Sequence, residues 1–127
     1  MAEELIVVAK RDCPTCTLIE SVYAQLHEGP LPLTVYSQDD PQFPDTIPTV
    51  HDDTTLAASY GLDIEIVPTL IRKRDGEEVE RVFGWHREDW ERISGLPDLG
   101  TDLPASQPGC GARNVDPGMR ERLKVRF

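Results

Sequence analysis

"KRDCPTC", residues 10–16, sets two cysteines with two residues between them where the hydrophobic pattern changes its period. Before it, "ELIVVAK" (4–10) is a short β-branched run suited to a buried strand. After it, "LIESVYAQLHEG" (18–29) places Leu18, Ile19, Val22, Tyr23 and Leu26 on one face of a helix. Pro14 suits the first helical position, and Gly29 with Pro30 ends the segment. The cysteine pair therefore sits at a strand-to-helix corner.

Working outward, "LPLTVYS" (31–37) reads as a second strand, and "QDDPQFPDTIP" (38–48), with its three prolines, as a loop. "DDTTLAASYG" (52–61) offers an Asp or Thr cap, a short apolar face (Leu56, Ala57, Tyr60) and a glycine stop. "VPTLIRKRDGEEVERVFG" (67–84) reads as a hairpin turning at Asp75–Gly76. "HREDWERISG" (86–95) predicts a short helix with Trp90 and Ile93 facing inward. The order is β-α-β-α-β-β-α. Beyond it, a Gly- and Pro-rich stretch has no period and reads as an extended segment lying on the body or partly mobile. "DPGMRERLKVRF" (116–127) suits a closing helix started by Asp116 and Pro117.

A chain of 127 residues has room for one compact domain. Its net charge of −10 is uneven. Residues 1–94 hold 8 Lys/Arg against 19 Asp/Glu, a charge of −11, whereas residues 95–127 hold 5 against 4, a charge of +1. An acidic body repels phosphate backbones, so nucleic acid is not an expected partner. Leu5–Ala9 is too short for a signal sequence and follows two glutamates, and no run approaches a membrane span. A cytoplasmic, monomeric protein without membrane contact is expected. In a reducing compartment, a Cys-x-x-Cys points to catalysis or metal binding rather than to a structural disulfide.

Strand, "CPTC", helix, then "IVPTLI" ahead of a hairpin with an Asp–Gly turn and a following glycine: in this order and at these spacings, residues 4–96 resemble the thioredoxin fold family. The resemblance implies an α/β thioredoxin-like fold, a central mixed β-sheet flanked by helices, over residues 1–96. Residues 97–127 then form a Gly/Pro-rich C-terminal extension. It also implies a thiol–disulfide oxidoreductase, in which Cys13 attacks a substrate disulfide and Cys16 resolves the mixed disulfide. A thiol at a helix N-terminus faces unpaired N–H groups and the positive dipole end, which favour the thiolate. Pro14 and Thr15, between the two cysteines, leave no bulky cover and are expected to bind substrate with Val67 and Pro68. Pro68 would be the cis-proline beside the cysteines, turning the Val67 backbone outward for an extended substrate to pair with. A protein disulfide and an external reductant, thioredoxin reductase-like or glutathione, are the partners so implied. No cofactor and no metal are required.

The chain departs from the family at two places. Many thioredoxins carry a buried acid where this chain has Val7, and a tryptophan where it has Asp12. Asp12 opposes thiolate formation at Cys13, while Lys10 and Arg11 favour it. Proline directly after the first cysteine, with Lys10 three residues before it, also resembles glutaredoxins. Their second glutathione-anchoring signature is echoed faintly by "GWHRED" (84–89). Two other classes stay open. One is a carrier or binding module delivering electrons or sulfur to a single enzyme, with the tail as docking arm. The other is a metal-thiolate protein using Cys13, Cys16, Cys110 and one of His27, His51 or His86.

Cys110 lies between two glycines, in "QPGCGARNVDPG" (107–118). It is a candidate third redox thiol, exchanging with the Cys13–Cys16 pair or passing electrons to a partner; the alternative is a passive cysteine packed under the tail. Trp85 and Trp90 are expected in the core, and His51 and His86 on the surface. Arg120, Arg122, Lys124 and Arg126 are expected to form a solvated face or to dock on the acidic body.

Overall fold

The computed structural model describes residues 2–113. The expected closing helix at Asp116 and the cluster Arg120, Arg122, Lys124 and Arg126 lie outside those residues. The elements are β1 (Glu3–Ala9), α1 (Pro14–Leu18), α2 (Glu20–Glu28), β2 (Leu33–Ser37), β3 (His51–Asp52), α3 (Ala57–Gly61), β4 (Ile66–Val67), β5 (Thr69–Arg74), β6 (Glu77–Phe83), β7 (Trp85–His86), α4 (Arg87–Ser94), β8 (Ser106–Gln107) and β9 (Cys110–Gly111). No helix among the described residues is long and apolar enough to cross a membrane.

Five strands form one mixed sheet in the order β3-β2-β1-β5-β6. β1 runs parallel to β2 and antiparallel to β5, and β5 continues antiparallel into β6. Successive strand residues point to opposite faces, yet Leu5 through Ala9 are all buried. The central strand is therefore covered on both faces, as its unbroken apolar run requires. The β5–β6 turn is made by Asp75 and Gly76, both at positive φ, the conformation a tight two-residue hairpin demands.

The helix after the cysteines breaks in two. At Ile19 (φ −100°, ψ 25°) the backbone leaves helical geometry. The phase of the apolar face shifts there: Ile19, Val22, Tyr23 and Leu26 are buried, but Leu18, expected with them, is 36% exposed. The cap of α3 also differs from a simple N-cap. Leu56 occupies the cap position in a left-handed conformation, while Asp53 reaches forward to accept from the Ala58 and Ser59 N–H groups. Strand β3 also differs, since Asp52 belongs to the stretch read as the start of α3, as does the cis Phe43–Pro44 peptide in the stretch read as a loop.

Trp85 and Trp90 are fully buried and meet edge-on, with centroids 5.5 Å apart, as core residues. Burying side chains of this size contributes about 1.5–3 kcal/mol each. His51 and His86 are exposed.

Residues 97–113 run back over the body as a strap. It is held mainly by side chains that grip its backbone. The Arg87 guanidinium donates to the carbonyls of Leu99 (3.0 Å), Gly100 (2.8 Å) and Leu103. Gln25 donates to the Asp98 carbonyl at 3.1 Å and accepts from the Gly100 N–H at 2.9 Å. Trp85 Nε1 donates to the Pro104 carbonyl at 2.7 Å. Two short pairings follow: β8 on β7, and β9 on β4.

Candidate active site

Local chemistry places Cys13 first. Its backbone is extended (φ −157°, ψ 110°), it caps α1, and Pro14 begins the helix where no N–H is needed. Its Sγ accepts from the Cys16 N–H at 3.3 Å. Cys16, one turn on, is fully buried. The Val67–Pro68 peptide is cis, as the resemblance implies, and brings the Val67 carbonyl to 3.7 Å from Cys13 Sγ. Cys13, Cys16, Thr15, Val67 and Pro68 thus converge, while Pro14 is exposed at the rim.

The two thiols of the motif are driven apart electrostatically. Cys13 is lowered from 9.0 to about 5, chiefly by a hydrogen bond from the Cys16 side chain. The Cys110 thiol and the N–H groups of Cys16 and Thr15 add to this, against the opposing effect of burial. Cys16 is pushed strongly the other way, first by burial and then by its bond to Cys13. Cys13 is therefore a thiolate at neutral pH and Cys16 a neutral thiol. Hydrogen-bond donors make Cys13 the thiolate and burial keeps Cys16 neutral, where the sequence points to a contest among Asp12, Lys10 and Arg11 over Cys13. Arg11 is turned away: it pairs with Asp40 at 2.6 Å and Asp45 at 3.2 Å and lies over the Phe43 ring. Val7, where many thioredoxins carry an acid, is fully buried in the core.

The third cysteine is also here. Cys110 Sγ lies 2.6 Å from Cys13 Sγ, beyond the roughly 2.05 Å of a disulfide bond. Burial and its bond to Cys13 raise the Cys110 thiol, so Cys110 is the donor and the Cys13 thiolate the acceptor. Strand β9 positions it: Val67 pairs with Cys110 and Ile66 with Gly111, antiparallel. Two of the residues expected to bind an extended substrate, Val67 and Thr15, are thus bound by the chain's own strap. Thr15 Oγ1 donates to the Pro108 carbonyl at 2.5 Å, and the Ala112 N–H to the Glu65 carbonyl at 3.0 Å. Further on, Gln38 grips Arg113, accepting from its N–H at 2.8 Å and donating to its carbonyl at 3.3 Å.

Two glycines make this fit. A Cβ on Gly109 would stand 2.6 Å from Ile66 Cγ2 and 2.7 Å from the Val67 carbonyl oxygen. Gly84 (φ +72°), from the faintly glutaredoxin-like "GWHRED", would bring a Cβ to 2.9 Å from the Gly109 nitrogen. Gln38, Gly84, Arg87 and Gly109 were not singled out as site residues. The small residues around Cys110 were the signal available for Gly109. Gly84 and Arg87 lie in the glutaredoxin-like stretch 84–89 but carry no signal for the strap, nor does Gln38, because the strap atoms they meet are backbone atoms distant in sequence. No histidine joins the cysteines: among the described residues, no group of three or more His, Cys, Asp or Glu side chains could hold a metal ion.

No family model and no curated relative match the chain. Solved structures do. A thioredoxin of Malassezia sympodialis, Mala s 13, described as a member of a pan-allergen family, matches with 16% identity and a TM-score of 0.51. The match covers 73% of this chain and 72% of that one. Trxlp from Edwardsiella tarda matches with 28% identity and a TM-score of 0.46, over 65% of this chain and 70% of that one. The chain has the thioredoxin fold.

Proposed function

We propose that this protein is a thiol–disulfide oxidoreductase, a protein disulfide reductase working through Cys13 and Cys16. The fold supports a thioredoxin-like redox role. The observation that carries the finer reading is the opposed protonation of the two thiols: a nucleophilic thiolate at Cys13 beside a protonated, buried Cys16. The thiolate is the attacking species in disulfide exchange.

The Cys13 sulfur attacks a substrate disulfide, forming a mixed disulfide and releasing one substrate thiolate. Cys16 loses its proton and attacks Cys13 Sγ, releasing the second substrate thiol and leaving a Cys13–Cys16 disulfide. The substrate gains two electrons. An external dithiol reductant or glutathione then restores the pair, which sets the protein in a reducing compartment such as the cytoplasm. Pro14, Thr15, Val67 and Pro68 would line the docking edge, and neither metal nor bound cofactor takes part.

One observation favours a narrower second reading, a carrier for a single partner. The Val67 edge is covered by β9, so a substrate must displace the strap before it can pair there. Trapping in the source cells separates the two. The variant should be Cys16→Ser/Cys110→Ser, because Cys110 also stands within reach of Cys13. Many thiol-cleavable adducts support a general reductase, and one dominant adduct a dedicated carrier. No adduct, relative to a control that also lacks Cys13, would sink both readings.

A further inference from the structure

We propose that Cys110 is a third exchange thiol and that the strap is a tethered substrate: its thiol exchanges with the oxidised pair to give a Cys13–Cys110 disulfide and a free Cys16. This rests on Cys13 acting as the exchange thiol.

Three independent observations meet at this point. The first is distance, with the two sulfurs 2.6 Å apart. The second is register. Cys110 is placed opposite Val67, the residue before the cis-proline, by antiparallel pairing rather than by a passing contact. The third is the fit of the strap's backbone. Gly109 leaves no room for a side chain against Val67, Thr15 holds the Pro108 carbonyl, and Gln38 holds both polar groups of Arg113. A cysteine packed passively under a tail would need none of this alignment.

The step moves no net electrons. The Cys110 thiol loses its proton and its sulfur attacks Cys13 Sγ. One S–S bond forms as the Cys13–Cys16 bond breaks, and the electron pair leaves on Cys16 Sγ, which takes up a proton. The result is a change in where the oxidised bond lies. With the strap closed, Cys13 is 1% exposed and Cys16 fully buried, whereas Cys110 is only half-buried. A reductant therefore meets a Cys13–Cys110 bond at its Cys110 end, on the surface. The exchange carries the oxidised bond outward from a pair that the strap itself covers.

The test uses the full chain with Cys16→Ser, equilibrated in a buffer of reduced and oxidised glutathione. The expected product is lighter by two hydrogens, and a non-reducing digest joins the peptides of Cys13 and Cys110. Cys13 carrying glutathione while Cys110 stays free would overturn the proposal. If Cys16→Ser does not fold, wild type oxidised by a stoichiometric disulfide and quenched in acid decides it. Both Cys13–Cys16 and Cys13–Cys110 linkages are expected, and Cys13–Cys16 alone would overturn it. Cys110→Ser reads the pair by itself. If it oxidises and reduces a disulfide substrate while wild type forms no Cys13–Cys110 bond, only this inference fails. If it is inert while its thiols are reduced, the oxidoreductase reading fails instead.

Discussion

The corner and the strap both bring a thiol to Cys13, by opposite means. Cys16 is held by the helix Cys13 itself caps, three residues away in the chain and fully buried. Cys110 is held by a two-residue pairing, 97 residues away and half-buried. The first arrangement survives as long as α1 does. The second depends on a short segment whose bonds to the body are mostly side chain to backbone, the kind that open locally at low cost. Under the proposed chemistry the difference would separate the roles: a permanent thiol setting the chemistry of Cys13, and a removable one controlling access to it.

The largest effect is expected where that division is tested directly. In the proposed reaction Cys16→Ser removes the resolving thiol and leaves Cys110, which reaches Cys13 only with the strap closed, where a large substrate is excluded. Steady-state reduction of a protein disulfide such as insulin should fall on the order of a hundredfold or more. Cys110→Ser should instead speed the first attack on a large substrate, because Cys13 loses its internal partner. Equal losses in both variants would erase the comparison.

The pH dependence sharpens it. Alkylation of Cys13 should follow a single midpoint near pH 5, far below the ordinary 9.0. Because the bond from Cys16 is the largest lowering cause and that from Cys110 a smaller one, the midpoint should rise most in Cys16→Ala and less in Cys110→Ala, which leave no side-chain donor. Stability follows the same sign. Between the folded and unfolded values the unfolded chain binds the extra proton, so stability rises with pH there. Relative to Cys13→Ser, the reduced protein should gain stability as pH rises from about 5 towards 9.0, and lose that advantage as pH falls through about 5. Denaturant titrations of the two proteins at several pH values check this, and a constant difference would contradict it.

The corner was legible in the sequence because its signals are local. A strand run, a proline at the first helical position and a switch of period all lie within about ten residues of Cys13. The Asp75–Gly76 turn was legible for the same reason. Leu18 was misplaced because periodicity assumes an unbroken helix, and the kink at Ile19 leaves no compositional mark. The strap's path was not legible. Gln25, Gln38 and Arg87 hold it by gripping carbonyls and N–H groups, and any residue can present those. Small residues flanking a cysteine hinted that Cys110 could reach another sulfur, but β-pairing two residues long lies below what any hydrophobic pattern records.

Breaking the strap without touching a sulfur isolates its contribution. Gly109→Val would drive a side chain into the Ile66 side chain and the Val67 carbonyl oxygen, which even a Cβ would meet at 2.6 and 2.7 Å. Overpacking a fixed site costs about 1–3 kcal/mol, but here the strap can lift away and the cost stops at its own contacts. The melting temperature should fall by only a few degrees, while Cys110 becomes rapidly alkylated and oxidation no longer yields the proposed Cys13–Cys110 bond. An unchanged alkylation rate at Cys110 would show that the close fit at Gly109 does not hold the strap.

A gentler break comes from the far end. Gln38 is fully buried, and its amide bonds both backbone polar groups of Arg113 and the Ser59 hydroxyl. In Gln38→Ala the Ser59 hydroxyl keeps its bond to Asp53, and the exposed Arg113 backbone can turn to water. The loss should therefore stay at about 1–2 kcal/mol, near the lower end for a buried polar deletion. Arg113 lies three residues beyond Cys110, so β9 should fray from that end while Val67 keeps its partner. Hydrogen exchange should accelerate at the Arg113 and Ala112 amides, with only a several-fold rise in Cys110 alkylation, well short of the Gly109→Val effect. A rise as large as in Gly109→Val would mean that the strap opens as one unit, with Gln38 as its latch, rather than peeling from its end.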